Sequence, residues 1–127
     1  MNRTNPLLVA AAAIYLAAAL PLLFAPDEIL TAATGAAPSV LDTALLQLVA
    51  AALFGFAMLN WFQRSTVTGG IYGRPIVAAN LSHTAIAALS LAHFAKAGTL
   101  PRLLLVPLAL YAVLALAFGW AFFRRVV

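Results

Sequence analysis

Four apolar stretches, residues 6–24, 40–62, 75–95 and 100–123, take up most of this chain, and each is close to the ~20 residues a helix needs to cross bilayer hydrocarbon. Within them the only formally charged residues are Asp42 and Arg102, both in a first helical turn. A water-facing helix of this length would carry a polar stripe, and none is present. The pattern therefore predicts an all-α, polytopic membrane protein: a four-transmembrane-helix antiparallel bundle with a short interfacial helix after the first span. With 65% hydrophobic and 8% charged residues in 127, the chain has room for a single membrane domain over residues 1–127.

The ends of the spans are marked by local chemistry. Asn5 before Pro6 reads as an N-cap followed by a proline whose missing N–H costs nothing at a helix start. The first apolar run exceeds the ~7 to 15 residues of a signal-peptide core, so it is expected to stay in the protein. Pro21 should kink or stop that helix, and Pro26 should open a separate helix over about 26–34. This helix would lie on the membrane with Asp27 and Glu28 in its first turn and Gly35 as terminator. Ser39 with Asp42 fits a capping box, Gly98 reads as the C-cap of the third span, and Pro107 predicts a kink in the fourth. Gly69, Gly70 and Gly73 lie between the second and third spans and fit either a tight turn or a cradle of N–H groups for an anion, and the turn is the simpler reading.

Basic residues orient the chain. With the N-terminus cytoplasmic, that side carries Arg3, Arg64, Arg74, Arg124 and Arg125 against Lys96 and Arg102 on the other, which favours both termini inside. Seven scattered Lys/Arg at helix ends suit lipid phosphates and give no basic surface for nucleic acid. Small residues spaced by four, Ala51 with Gly55, Ala88 with Ala92 and Ala115 with Gly119, mark faces where helices could approach closely.

Polar side chains concentrate in the third span. At 100° per residue Asn80, His83, Thr84, Ala87 and Ser90 share one arc, and such groups in hydrocarbon normally face a bundle interior or a cavity. Asn60 and Arg64 end the preceding span at a comparable depth. The expected site is a cytoplasm-facing polar pocket of Asn60, Arg64, Arg74, Asn80 and His83, in which the simpler reading of His83 is a neutral histidine that hydrogen-bonds across helices and the other is a group that titrates with cytoplasmic pH or binds ligand. Asn80 and Gln47 are expected to bridge to neighbouring helices.

Several chemistries drop out. There is no cysteine, and the two histidines lie ten residues apart on one span, so one copy has no evident pair to clamp a haem. No mid-membrane carboxylate suits a proton-coupled exporter, and no Ser/His/Asp constellation forms. No cofactor is expected.

Residues 59–94, LNWFQRSTVTGGIYGRPIVAANLSHTAIAALSLAHF, resemble a pattern in small uncharacterised bacterial four-span integral membrane proteins. The resemblance implies the bacterial inner membrane and a distinctive second-to-third span junction, and it brings no activity. Two function classes follow from the residues. One is non-enzymatic binding or passage of a small anionic or amphipathic ligand, with anionic lipid or a small anion as partner and a homodimer supplying volume. The other is an accessory or scaffold subunit of a larger membrane complex.

Overall fold

A computed structural model describes residues 4–124, which are all-helical with no strand among them. The elements are α1 (Pro6–Phe24), α2 (Pro26–Thr34), α3 (Val40–Phe62), α4 (Gly73–Lys96), a 3-10 turn (Arg102–Leu104) and α5 (Leu105–Phe123). Four helical segments, α1, α3, α4 and the 3-10 turn with α5, are long and apolar enough to cross a membrane. The chain is thus a multi-pass membrane protein. Arg3 and Arg125, which count toward the orientation, lie outside the described residues.

The capping signals act as the sequence implies. The Asn5 Oδ1 accepts the Leu7 N–H at 3.0 Å. Ser39 Oγ accepts the Asp42 N–H at 3.1 Å while Asp42 Oδ2 accepts the Ser39 N–H at 3.0 Å, closing the box in both directions. Gly35 ends α2 at φ 73° and donates its N–H to Thr31. After α4 the cap is Ala97, one residue before the expected Gly98. Gly98 instead takes the left-handed position beyond it at φ 72°, with Gly98 N–H on the Ala95 carbonyl and Thr99 N–H on that of Phe94. This is the six-to-one and five-to-two pattern in which a glycine without Cβ is favoured.

The helix bounds bear on three prolines. Pro21 lies inside α1, which runs on for one further turn to Phe24, so of the two expected outcomes the stop does not occur. α4 starts at Gly73, so Pro75 lies in its first turn. The fourth span begins as 3-10, which places Pro107 third in α5, where its missing N–H falls among those a helix start leaves without an α-helical partner.

Contacts group the described residues into two units, residues 8–64 and residues 65–124 with 4–7. In the first, α1 and α3 run antiparallel. Tyr15 meets Phe56 edge-on at 6.0 Å, and nearer the other end Gln47 Nε2 donates to the Leu23 carbonyl at 3.4 Å. Gln47 is therefore a bridging amide as expected, though on an exposed position. Its target is one of the last carbonyls of α1, and Pro26 already deprives this helix end of an N–H donor. α2 spans nine residues, about 13 Å, too short to cross, and Thr43 Oγ1 donates to Asp27 Oδ1, tying it to α3.

In the second unit α4 and α5 form an antiparallel hairpin. His83 meets Tyr111 and, two residues back on α4, Leu81 lies beside Gly119 about two turns on along α5. The buried seams follow helical spacing although hydrophobicity does not: Ala50, Leu53, Ala57 and Asn60 on α3, and Gly73, Val77, Asn80 and Thr84 on α4. On these two seams mostly compact residues turn inward while Leu48 and Leu89 stay exposed, and the large buried side chains, Leu8, Tyr15 and Phe118, come from α1 and α5. Without a hydrophobic drive between lipid-solvated helices, close approach selects size over polarity. The pairs Ala51/Gly55 and Ala88/Ala92 are not on these seams. Gly55 faces open space, and of the spaced pairs Ala115/Gly119 alone has its glycine packed against a neighbouring helix.

Candidate functional site

The five residues singled out from the sequence divide between the units, Asn60 and Arg64 in the first and Arg74, Asn80 and His83 in the second. Their local settings differ. Asn80 sits seven residues into α4, about 10 Å along its axis, and is fully buried. Its Nδ2 donates to the Ile76 carbonyl at 2.9 Å, one turn back. Thr84 Oγ1, also fully buried, donates to the Asn80 carbonyl at 2.8 Å. An inward polar group in hydrocarbon must find a partner, and returning the bond to its own helix is the shortest solution. The amide expected to bridge helices thus also serves its own.

His83 is half-buried, 60° around the helix from Asn80, and its Nε2 shares a 3.3 Å hydrogen bond with Tyr111 Oη of α5. The two rings pack edge-on at 5.4 Å. In the sequence Tyr111 is an isolated polar residue within the apolar run 100–123 and is not among the residues singled out above. The signal that could have found it is the antiparallel register set by the short 97–101 connection, which brings the early part of α5 opposite the later part of α4. Arg74 is exposed in the first turn of α4. Nine residues separate it from His83, half a turn beyond two full ones, so the two leave opposite sides of the helix. Ser90, at the edge of the polar arc, is exposed, so the arc runs from buried Asn80 and Thr84 through half-buried His83 to the surface.

On α3, Asn60 is fully buried and its Nδ2 donates to the Phe56 carbonyl at 2.8 Å, the same return to the preceding turn as at Asn80. Arg64 follows the helix. Its Nη1 donates to the Trp61 carbonyl at 2.7 Å and its guanidinium lies 4.4 Å from the centre of the Trp61 ring. An indole with a guanidinium on its face suits the headgroup layer, where one end is apolar and the other wet.

The glycine segment resolves in favour of the turn. The Val67 carbonyl accepts the Gly70 N–H at 3.0 Å, and the Gly70 carbonyl accepts the N–H groups of Gly73 and Arg74 at 3.1 and 3.0 Å. The Gly70 and Gly73 amides, two of those that would have cradled an anion, are consumed in closing the turn. A Cβ on Gly73 would lie 2.1 Å from the Val67 oxygen, so the third glycine is required by close approach and not by an unusual φ.

Among the described residues no three His, Asp or Glu side chains gather as metal ligands. Each unit by itself offers hydrogen-bonding and cationic groups, Asn60 with Arg64 in the first and Arg74, Asn80 and His83 in the second. Comparison with protein-family models, curated proteins and solved structures returns no match.

Proposed function

We propose that this chain is a non-enzymatic binding protein of the bacterial inner membrane, with both termini cytoplasmic. In this reading a small anionic or amphipathic ligand is taken from the cytoplasmic side by polar and cationic groups that each unit supplies, Asn60 and Arg64 in the first and Arg74, Asn80 and His83 in the second. The observation that carries the reading is the placement of fully buried Asn60, Asn80 and Thr84 in helices long and apolar enough to cross a membrane. Polar groups at membrane depth are expensive and mark ligand or ion paths more often than packing requires. Arg74 and His83 leave α4 on opposite sides, so within this reading Arg74 meets the ligand's charge at the membrane surface and does not share a wall with His83.

The alternative is an accessory subunit that packs against a larger membrane complex. It is favoured by one specific observation: the Asn60, Asn80 and Thr84 side chains donate to carbonyls of their own helices, which seals them without a ligand. The two readings part on purification of the intact chain in mild detergent. On the first, native mass spectrometry finds a bound small molecule that disappears in Asn80→Ala and His83→Ala while helicity and thermal unfolding hold. Loss of folding in both variants, with no bound molecule at any stage, would reject it.

A further inference from the structure

A cavity of about 290 Å³ opens between the first half of α1 and the last turns of α3, lined by Val9, Ala12, Leu16, Ala57, Met58 and Trp61. Its walls are apolar, and the side chains at its centre, Ala12 and Ala57, are too small to fill it. The volume is at the lower end of the ~300–1,000 Å³ of ligand sites, enough for part of a hydrocarbon chain and not for a whole lipid. The antiparallel pairing of α1 with α3 puts the N-terminal end of one beside the C-terminal end of the other. One mouth of the cavity therefore coincides with the Trp61 and Arg64 pair.

That pair gives the cavity a charged rim. Trp61 is 46% exposed, and Arg64 lies across its ring at 4.4 Å. The carbonyl bond to Trp61 uses one of the five guanidinium N–H donors, and the fork suits a phosphate bidentately. We infer that this cleft is a binding site for an anionic membrane phospholipid, with a stretch of acyl chain against Ala12 and Ala57 and its phosphate on Arg64. The inference rests on the ligand-binding reading above in its choice of ligand class and of Arg64, and it moves the apolar half of the ligand to α1 and α3.

The test uses the full chain in phosphatidylcholine vesicles that contain a minor fraction of lipid brominated on its acyl chains, since bromine quenches a tryptophan it touches. The chain has two tryptophans. Trp120→Phe leaves Trp61 as reporter, and Trp61→Phe leaves Trp120. The second is 65% exposed with Arg124 over its ring at 4.8 Å, and so reports simple charge enrichment at a helix end. Brominated phosphatidylglycerol should quench Trp61 several-fold more than brominated phosphatidylcholine at equal fraction, with a much smaller difference at Trp120. Arg64→Gln should bring the Trp61 excess down to the Trp120 level. Ala57→Leu, which fills the cleft, should abolish the excess, and Ala13→Leu at the more exposed wall serves if the first fails to fold. Equal quenching of Trp61 by both lipids, an excess that survives Arg64→Gln, or displacement by inorganic phosphate alone would each overturn the inference. Asn80→Ala and His83→Ala should leave the Trp61 excess intact, which separates failure here from failure of the α4 reading.

Discussion

Gly73→Ala isolates the close approach that closes the connection between α3 and α4. In most helices this substitution is favourable, by up to ~1 kcal/mol in the interior and less at a first position. Here the new methyl would sit 2.1 Å from the Val67 oxygen and 2.8 Å from the Thr68 Cα, both backbone atoms that no rotamer change can move. Separation requires a shift of more than 1 Å, and the Gly70 N–H bond to the same oxygen, 3.0 Å long, is strained with it. Overpacking costs about 1–3 kcal/mol, and a weakened hydrogen bond adds up to ~1 kcal/mol. A loss of about 2–3 kcal/mol is expected from these two principles together. The assay is reversible unfolding in mixed micelles of rising sodium dodecyl sulfate fraction, followed by far-ultraviolet circular dichroism. Two other glycines set the scale. Gly70→Ala, whose methyl would meet Val67 at an ordinary 3.4 Å, should be near neutral, and Gly55→Ala, which faces open space mid-helix, should stabilise by up to ~1 kcal/mol. A Gly73→Ala protein within ~0.5 kcal/mol of the parent, the range of an ordinary surface change, would refute the reasoning.

Ser39→Ala removes one arm of the capping box and should cost about 0.5–2 kcal/mol in the same titration, with Ser39→Asn recovering most of it. Tyr111→Phe deletes the hydroxyl that meets His83. Interhelical side-chain hydrogen bonds in membranes average ~0.6 kcal/mol, so a small stability loss should accompany a clear change in the His83 ring signals by NMR, and an unchanged ring spectrum would deny the contact. Thr43→Val breaks the tie to Asp27 and should raise amide exchange in α2 while leaving α3 protected. Equal protection of α2 in both proteins would show that the tie is idle.

Much of this architecture was written in the residues because bilayer thickness and capping chemistry are local rules. The four spans, the proline that opens α2, the Ser39 and Asp42 box and the glycine that ends α2 each depend on a handful of neighbours. What stayed hidden depends on which side of a helix faces another. Ala51 with Gly55 and Ala50 with Leu53 and Ala57 are equally plausible seams in an alanine-rich helix, and only the packed structure selects the second. The same blindness applies to the polar residues. The composition locates Asn80 and His83, but that one returns its amide bond to Ile76 while the other meets Tyr111 depends on a 60° difference in direction and on the register of α5. Pro107 illustrates the third case, in which shifting a helix start by a few residues moves a proline from the interior of a span into a first turn.

The connections are short: five residues between α2 and α3, ten between α3 and α4, and five before the 3-10 turn. For a membrane phospholipid at the cleft beside Trp61, encounters are two-dimensional, made sideways by diffusion in the plane of the bilayer. Occupancy of the cleft beside Trp61 then follows mole fraction per lipid and not molar concentration. Extraction into detergent dilutes its ligand even when the buffer is unchanged.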